Sequence, residues 1–184
     1  MKVSTDGKAK ILTPDEIEDL FTIGFQSERD RALFGICLYA GCRISEALAL
    51  RWSDVEGGQI TLRKSTTKGG THSRQMDIHP KLATLLEAYR PKCSRPQMFP
   101  GRHGRGRLSR GGAHLVLEQA CHRCGIVGCS THSFRRTALT EMSNAGIPLR
   151  HIQEISGHKS LAVLQEYLAV RPSDVKAAIA ALPW

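Results

Sequence analysis

Residues 131–167 constrain this chain more than any other stretch. Gly146-Ile147-Pro148 and Ser156-Gly157-His158-Lys159-Ser160 break it into three runs, and the pattern predicts helices over 131–144, 148–155 and 160–169. Into that scaffold the sequence sets His132 and Arg135, three apart and so on one helical face. His158 follows the Gly-Ile-Pro break, and Tyr167 comes nine residues after it. Two histidines, an arginine and a tyrosine converging in one cleft make a poor apolar core. They make a good site for a phosphodiester, with cationic donors for phosphate oxygens, a proton acceptor and an oxygen nucleophile.

The rest of the chain supplies the body around that stretch. Thr13-Pro14-Asp15-Glu16 reads as a helix start with a capping box. A second helix is expected over 29–40, with Leu33, Phe34, Ile36, Cys37 and Leu38 mostly buried. Gly41 ends it, and a short third helix is expected over 45–50. Arg43 then stands at a helix–helix corner, where a long side chain can leave the core for a cleft. Residues 59–63 and 74–78 alternate in character and read as strands. The polar loop 64–73 between them carries Gly69 and Gly70, giving a hairpin or a small three-stranded sheet with Lys68 near its tip. Further helices are expected over 81–89, within 108–124 and over 174–182. No repeat and no long linker divides the chain. The fold class is mainly α with a small antiparallel β-sheet.

Charge narrows the partner. There are 26 Lys and Arg against 17 Asp and Glu, a net charge of +9, which favours an acidic partner such as nucleic acid. Residues 91–112 contain no acid but do contain Lys92, Arg95, Arg102, Arg105, Arg107 and Arg110. Such a loop either tracks a DNA backbone or is a solvated flexible loop, and both readings hold for a loop that orders on DNA. Residues 1–10 are polar, expected to be disordered, and carry no signal peptide. The longest apolar run, 32–42, is too short to span a bilayer. The chain therefore reads as cytosolic, with its six cysteines reduced. Cys121, His122, Cys124, Cys129 and His132 have zinc-like density. The first pair falls in a predicted helix and His132 belongs to the stronger pattern, so buried free thiols are expected and no metal site. No Walker loop, nucleotide fingerprint or carboxylate cluster for magnesium occurs, so neither ATP, metal nor another cofactor is expected.

With A-G-C-R-I-S-E-A-L at 40–48 added to T-H-S-F-R-R-T, S-G-H and Tyr167, the pattern resembles the catalytic domain of the tyrosine recombinase (phage integrase) family. The resemblance runs from 13 to about 170. It implies that fold, no cofactor, and DNA strand cleavage and rejoining through a phosphotyrosine. It places the first arginine at Arg43 and the second at Arg135; either alone would read as a surface salt bridge, and Glu46 would orient Arg43 or merely pair with it. His132 becomes the proton acceptor or a phosphate donor, His158 a donor to a non-bridging oxygen, and Tyr167 the nucleophile. Tyr39 and Tyr89 read as core or rim. The family's general-acid lysine maps onto Lys68, with Lys64 as competitor. Lys64, Arg74, Arg102, Arg105, Arg107, Arg110 and Arg136 are the expected DNA-backbone contacts. The partners implied are double-stranded DNA and other protomers, the latter through 172–184. On DNA the protein would associate with the nucleoid. The family's N-terminal core-binding domain is not expected here, leaving 11–184 as the catalytic domain. Type IB topoisomerase-like relaxation and a non-catalytic DNA-binding relic are the alternatives.

Overall fold

Thr13 opens the first helix. Its Oγ1 accepts from the N–H of Glu16, the Glu16 carboxylate accepts from the N–H of Thr13, and Pro14 fills the first turn. This helix, α1 (Pro14–Asp19), runs straight into a π-helical turn, Leu20–Gly24. The computed structural model describes residues 8–63, 73–92, 95–101, 106–169, 175–176 and 179–183. Of the tail expected to be disordered, 8–10 are placed, and 1–7 lie outside the described residues.

Helix α2 (Glu28–Tyr39), capped by Ser27, buries Ala32 through Leu38 on all its faces and is the central element. Phe34 on it stacks on Phe25 at 4.7 Å, and its ring lies 5.1 Å from that of Phe134. Gly41 then takes φ +54, a conformation suited to glycine, and turns the chain into α3 (Ile44–Ala47). That helix is shorter than the 45–50 expected. The Glu46 carboxylate folds back to accept the N–H of Arg43, fixing the start one residue early, and the chain leaves the helix after Ala47.

The sheet is three-stranded and antiparallel in the order β1 (Val55–Glu56), β2 (Gln59–Leu62), β3 (Arg74–Asp77). Ile60 and Leu62 face the core by the two-residue period of a strand. Leu62 pairs with Arg74, which brings an arginine to a buried position. The loop holding Lys64 and Lys68 falls outside the described residues. Helix α4 (Pro80–Tyr89) packs on α2. Beyond it, two isolated bridges, Arg51 to Gln97 and Pro100 to Arg107, order parts of the basic loop. Arg102 and Arg105 lie outside the described residues. Ser109 caps α5 (Arg110–Arg123).

Helices α6 (Ser133–Asn144), α7 (Leu149–Ser156) and α8 (Leu161–Tyr167) complete the body. Phe134 anchors α6 in the main core, alongside Phe21, Phe25 and Phe34. A second, small cluster of Leu139, Ile152 and Leu164 holds α7 and α8 to α6. Helix α8 ends at Tyr167, two residues short of expectation, because Leu168 is extended at φ −80, ψ 148. Val175, Lys176, Ile179 and Ala180 are helical, within the stretch 174–182 expected to be so. Among the described residues no helix is long and apolar enough to cross a membrane.

Candidate active site

Five of the residues singled out in the sequence meet where α3, α6 and the α7–α8 turn converge. Arg43 is the residue before α3, held there by the 2.7 Å bond from its own N–H to Glu46. His132 is the cap position of α6 rather than a residue within the helix, and its N–H donates to Ser130 Oγ at 3.3 Å. Arg135 is one turn further on. His158 follows Gly157, which ends α7 at φ +67. Tyr167 is the last residue of α8.

Arg135 is fully buried. Its Nη1 donates to the Gly41 carbonyl at 2.6 Å and its Nη2 to the Ser156 carbonyl at 2.9 Å. Nη2 also lies 3.1 Å from His158 Nε2. A guanidinium only donates, so His158 Nε2 must accept and its proton must sit on Nδ1. Nδ1 then donates to Ser156 Oγ at 2.8 Å, while Ser156 Oγ donates to the Gln153 carbonyl at 3.3 Å. The Gln153 amide in turn donates to the His158 carbonyl at 3.0 Å. His158 is thus a neutral imidazole that orients Arg135, instead of a free donor. Its ring lies 4.7 Å from that of Tyr167, and Arg135 Cζ lies 5.7 Å from the Tyr167 centroid. Tyr167 covers Arg135 in this state.

Burial first, then the charges of Arg135, Arg43 and Arg74, pushes His158 down to about 3. The same effects, burial followed by Arg135 and Arg43, lower His132, which leaves it able to accept a proton near neutrality. Burial, then the Arg43 charge, pulls Arg135 down to about 10, so it stays protonated. The His158 shift has a thermodynamic consequence. An unfolded histidine titrates at about 6.5. Above that pH both states are neutral and nothing is lost. As pH falls below it, the unfolded chain gains a proton that the folded chain refuses, and stability drops by up to about 1.4 kcal/mol per pH unit. The wild-type melting temperature should fall more steeply than that of His158→Gln between about pH 6 and 4. Parallel curves would mean that the folded ring titrates freely.

Glu46 is the hub beneath these residues. Its buried carboxylate lies 3.1 Å from Arg74, 3.8 Å from Arg43 and 4.0 Å from Arg135. One carboxylate among three guanidinium groups leaves the site strongly cationic. Arg74, expected to contact DNA, sits below the surface instead. It packs so closely on Gly157 that a Cβ there would stand 2.2 Å from Arg74 Nη1. Three guanidinium donors of the cluster, Arg43 Nη1, Arg74 Nε and Arg135 Nε, are buried with no hydrogen-bond partner among the described residues. Buried donors are rarely left so, and such donors suit incoming anionic oxygens.

Other expected contacts are dispersed. Arg107 and Arg110 are exposed and, with Ser45, Leu48, Leu108 and Ser109, line a groove of about 420 Å³ beside α3. Arg136 points away from the cluster and donates to main-chain carbonyls of Ala9 and Tyr167. Cys37, Cys42, Cys121, Cys124 and Cys129 are free thiols, and among the described residues no three metal-binding side chains gather.

The model of the phage integrase family matches residues 10–174. The chain belongs to the phage integrase family. Among relatives in it, tyrosine recombinase XerC of Roseiflexus sp. (strain RS-1) is 32% identical over 173 residues, covering 86% of this chain and 54% of that protein. Tyrosine recombinase XerD of Listeria monocytogenes serotype 4b (strain F2365) is 29% identical, covering 92% and 61%. The chain thus spans a little over half the length of these integrase relatives. The crystal structure of XerA recombinase superimposes with a TM-score of 0.83 at 21% identity, covering 96% of this chain and 67% of that one. XerH site-specific recombinase bound to its difH substrate gives 0.71 at 20% identity, covering 96% and 55%. The integrase catalytic-domain fold is therefore present.

Within that integrase fold, sequence reasoning left three supports unseen. Ser156, two residues before His158, fixes its tautomer. Gly41 offers a carbonyl to Arg135. Arg74 completes the ring of charge around Glu46. The S-G-H motif carried a signal for Ser156, since a hydroxyl two residues from a histidine is within reach of its ring. The Arg74–Glu46 pair carried none, because it joins residues 28 apart in sequence.

Proposed function

We propose that this chain breaks and rejoins DNA at specific sites through a 3′-phosphotyrosyl intermediate on Tyr167. The observation that carries the reading is a set of buried guanidinium nitrogens without hydrogen-bond partners among the described residues, on Arg43, Arg74 and Arg135, with the ring of Tyr167 against Arg135. Arg43 and Arg135 take the non-bridging oxygens of the scissile phosphate, because planar, permanently charged donors suit the charge of a pentacoordinate state. The Tyr167 oxygen attacks phosphorus, and its proton passes to His132, which burial and neighbouring charges keep neutral. The bond from phosphorus to the 5′-oxygen breaks, and that oxygen takes a proton from Lys68. A 5′-hydroxyl from another strand reverses these steps and releases the tyrosine. His158 holds Arg135 in register throughout. Because Tyr167 covers Arg135 before DNA arrives, the ring must lift as the phosphate enters.

The groove beside α3 is the proposed seat of a neighbouring backbone phosphate, contacted by Arg107 and Arg110, with Lys64, Arg102 and Arg105 extending the track. Arg74 supports the site from below. The exposed Val175, Ile179 and Leu182 form the face by which the C-terminal segment docks on another protomer. The setting is the cytoplasm, on the nucleoid when DNA is bound.

Incubation with a nicked suicide duplex tests the reading, since the cleaved 5′ fragment diffuses away and the adduct accumulates. A slow-migrating protein–DNA band is expected, and it should survive a chelator because the one carboxylate of the site is committed to arginines. DNA affinity should fall about 10²-fold between roughly 50 and 200 mM salt for a footprint of about four phosphates. No band at any salt would leave only DNA binding. A band lost with chelator and restored by magnesium would put a metal in the mechanism.

A further inference from the structure

Arg135 and Arg136 are consecutive on α6, and both reach Tyr167. The first lies against the ring. The second turns to the other side, where its Nε donates to the main-chain carbonyl of Tyr167 at 3.1 Å. The same guanidinium donates through Nη1 to the carbonyl of Ala9. Nearby, the N–H of Leu12 donates to Thr137 Oγ1 at 2.8 Å. The segment 9–12 is therefore hooked to α6 at two adjacent residues, and one of those hooks also holds the backbone of Tyr167.

We propose that Arg136 is a positioning residue for the nucleophile. It ties the last carbonyl of α8 to the segment 9–12, so that the place of Tyr167 depends on where that segment lies. The inference rests on the reading of Tyr167 as the attacking group. Three physical points support it. A cation at the final carbonyl of a helix is favourable on both dipole and hydrogen-bond grounds. A planar guanidinium fork holds two carbonyls at once, whereas a lysine ammonium is a point charge on a flexible stem. Helix α8 has one wholly buried side chain, Leu164, so a main-chain tether beside the nucleophile is a large part of what fixes it. The guanidinium is half-buried and two of its nitrogens serve main-chain carbonyls. That leaves little for the DNA contact expected of Arg136.

The test uses the whole chain labelled with meta-fluorotyrosine at its three tyrosines. Fluorine NMR without DNA reports each ring, and Tyr167→Phe identifies the Tyr167 line. Arg136→Gln is expected to shift and broaden that line and leave those of Tyr39 and Tyr89 in place. On the suicide duplex the same variant should form adduct about 10²-fold more slowly at saturating DNA, the cost typical of a small misplacement, with affinity little changed. Arg136→Lys should recover part of both effects. An unmoved Tyr167 line with normal cleavage would overturn the proposal. So would weaker DNA binding with normal cleavage at saturation, which is the signature of a phosphate contact. If Arg136→Gln unfolds the chain, seen as loss of all three native lines, Arg136→Lys decides by the same two readouts. The NMR arm needs no DNA. An adduct persisting in Tyr167→Phe would therefore sink the nucleophile assignment while the line shift still judged the tether.

Discussion

Tyr167→Phe is expected to form no covalent adduct with the nicked suicide duplex, whereas wild type should accumulate it. This is the largest effect expected of any single atom in the chain. The substitution removes one oxygen and keeps the ring that packs on His158 and Arg135. The variant should therefore fold and bind DNA as wild type does, so that loss of the band reports chemistry alone. Neither other tyrosine can substitute. Tyr39 stacks on His79 at 4.7 Å, and burial raises its pKa. Tyr89 is buried and donates its hydroxyl to the Met98 carbonyl. A band from Tyr167→Phe would move the nucleophile to another residue and dissolve the reading of the site.

Lys68→Ala is expected to slow cleavage by about 10²–10⁴-fold, the usual worth of a positioned general acid, and to change DNA affinity little, since one phosphate contact is a small share of the total. The 5′-oxygen is a poor leaving group unless protonated, and the proposed role of Lys68 is to give it that proton. Replacing that oxygen by sulfur separates the possible roles, because a thiolate departs without a proton. The sulfur substrate should restore the Lys68→Ala rate to near that of wild type. Rescue of Lys64→Ala instead would transfer the role to Lys64. Rescue of neither would place the general acid among the arginines or at His158.

What the sequence made legible was whatever depends on local order. The capping box at Thr13, the buried run of α2 and the Gly-Ile-Pro break between α6 and α7 are each written in a few adjacent residues. So are the motifs around Arg43, Arg135 and His158. Long-range pairing was not legible. Arg74 reads in sequence as one more basic residue on a strand facing DNA. Only the register that sets it opposite Leu62 puts it under Glu46. Arg136 likewise reads as a surface cation, because its two acceptors are main-chain carbonyls distant in sequence, and a carbonyl leaves no mark on residue type. The hydrogen bonds of His158 were illegible for a related reason. Whether an imidazole donates or accepts is set by its neighbour, and here that neighbour is a guanidinium with nothing but protons to give.

The division of the apolar interior into a large and a small cluster has an energetic meaning. Arg43 and Arg135 stand on elements rooted in the large one, while α8 is fastened through Leu164 and the edges of its neighbours. Burying one leucine contributes about 1.5–3 kcal/mol. Ordering a seven-residue helix costs more than that, so Leu164 alone does not hold α8, and the Arg136 tether and the contacts of the Tyr167 ring supply part of the remainder. The fold thus roots its cationic cluster in the large apolar body and carries Tyr167 on a lightly seated helix.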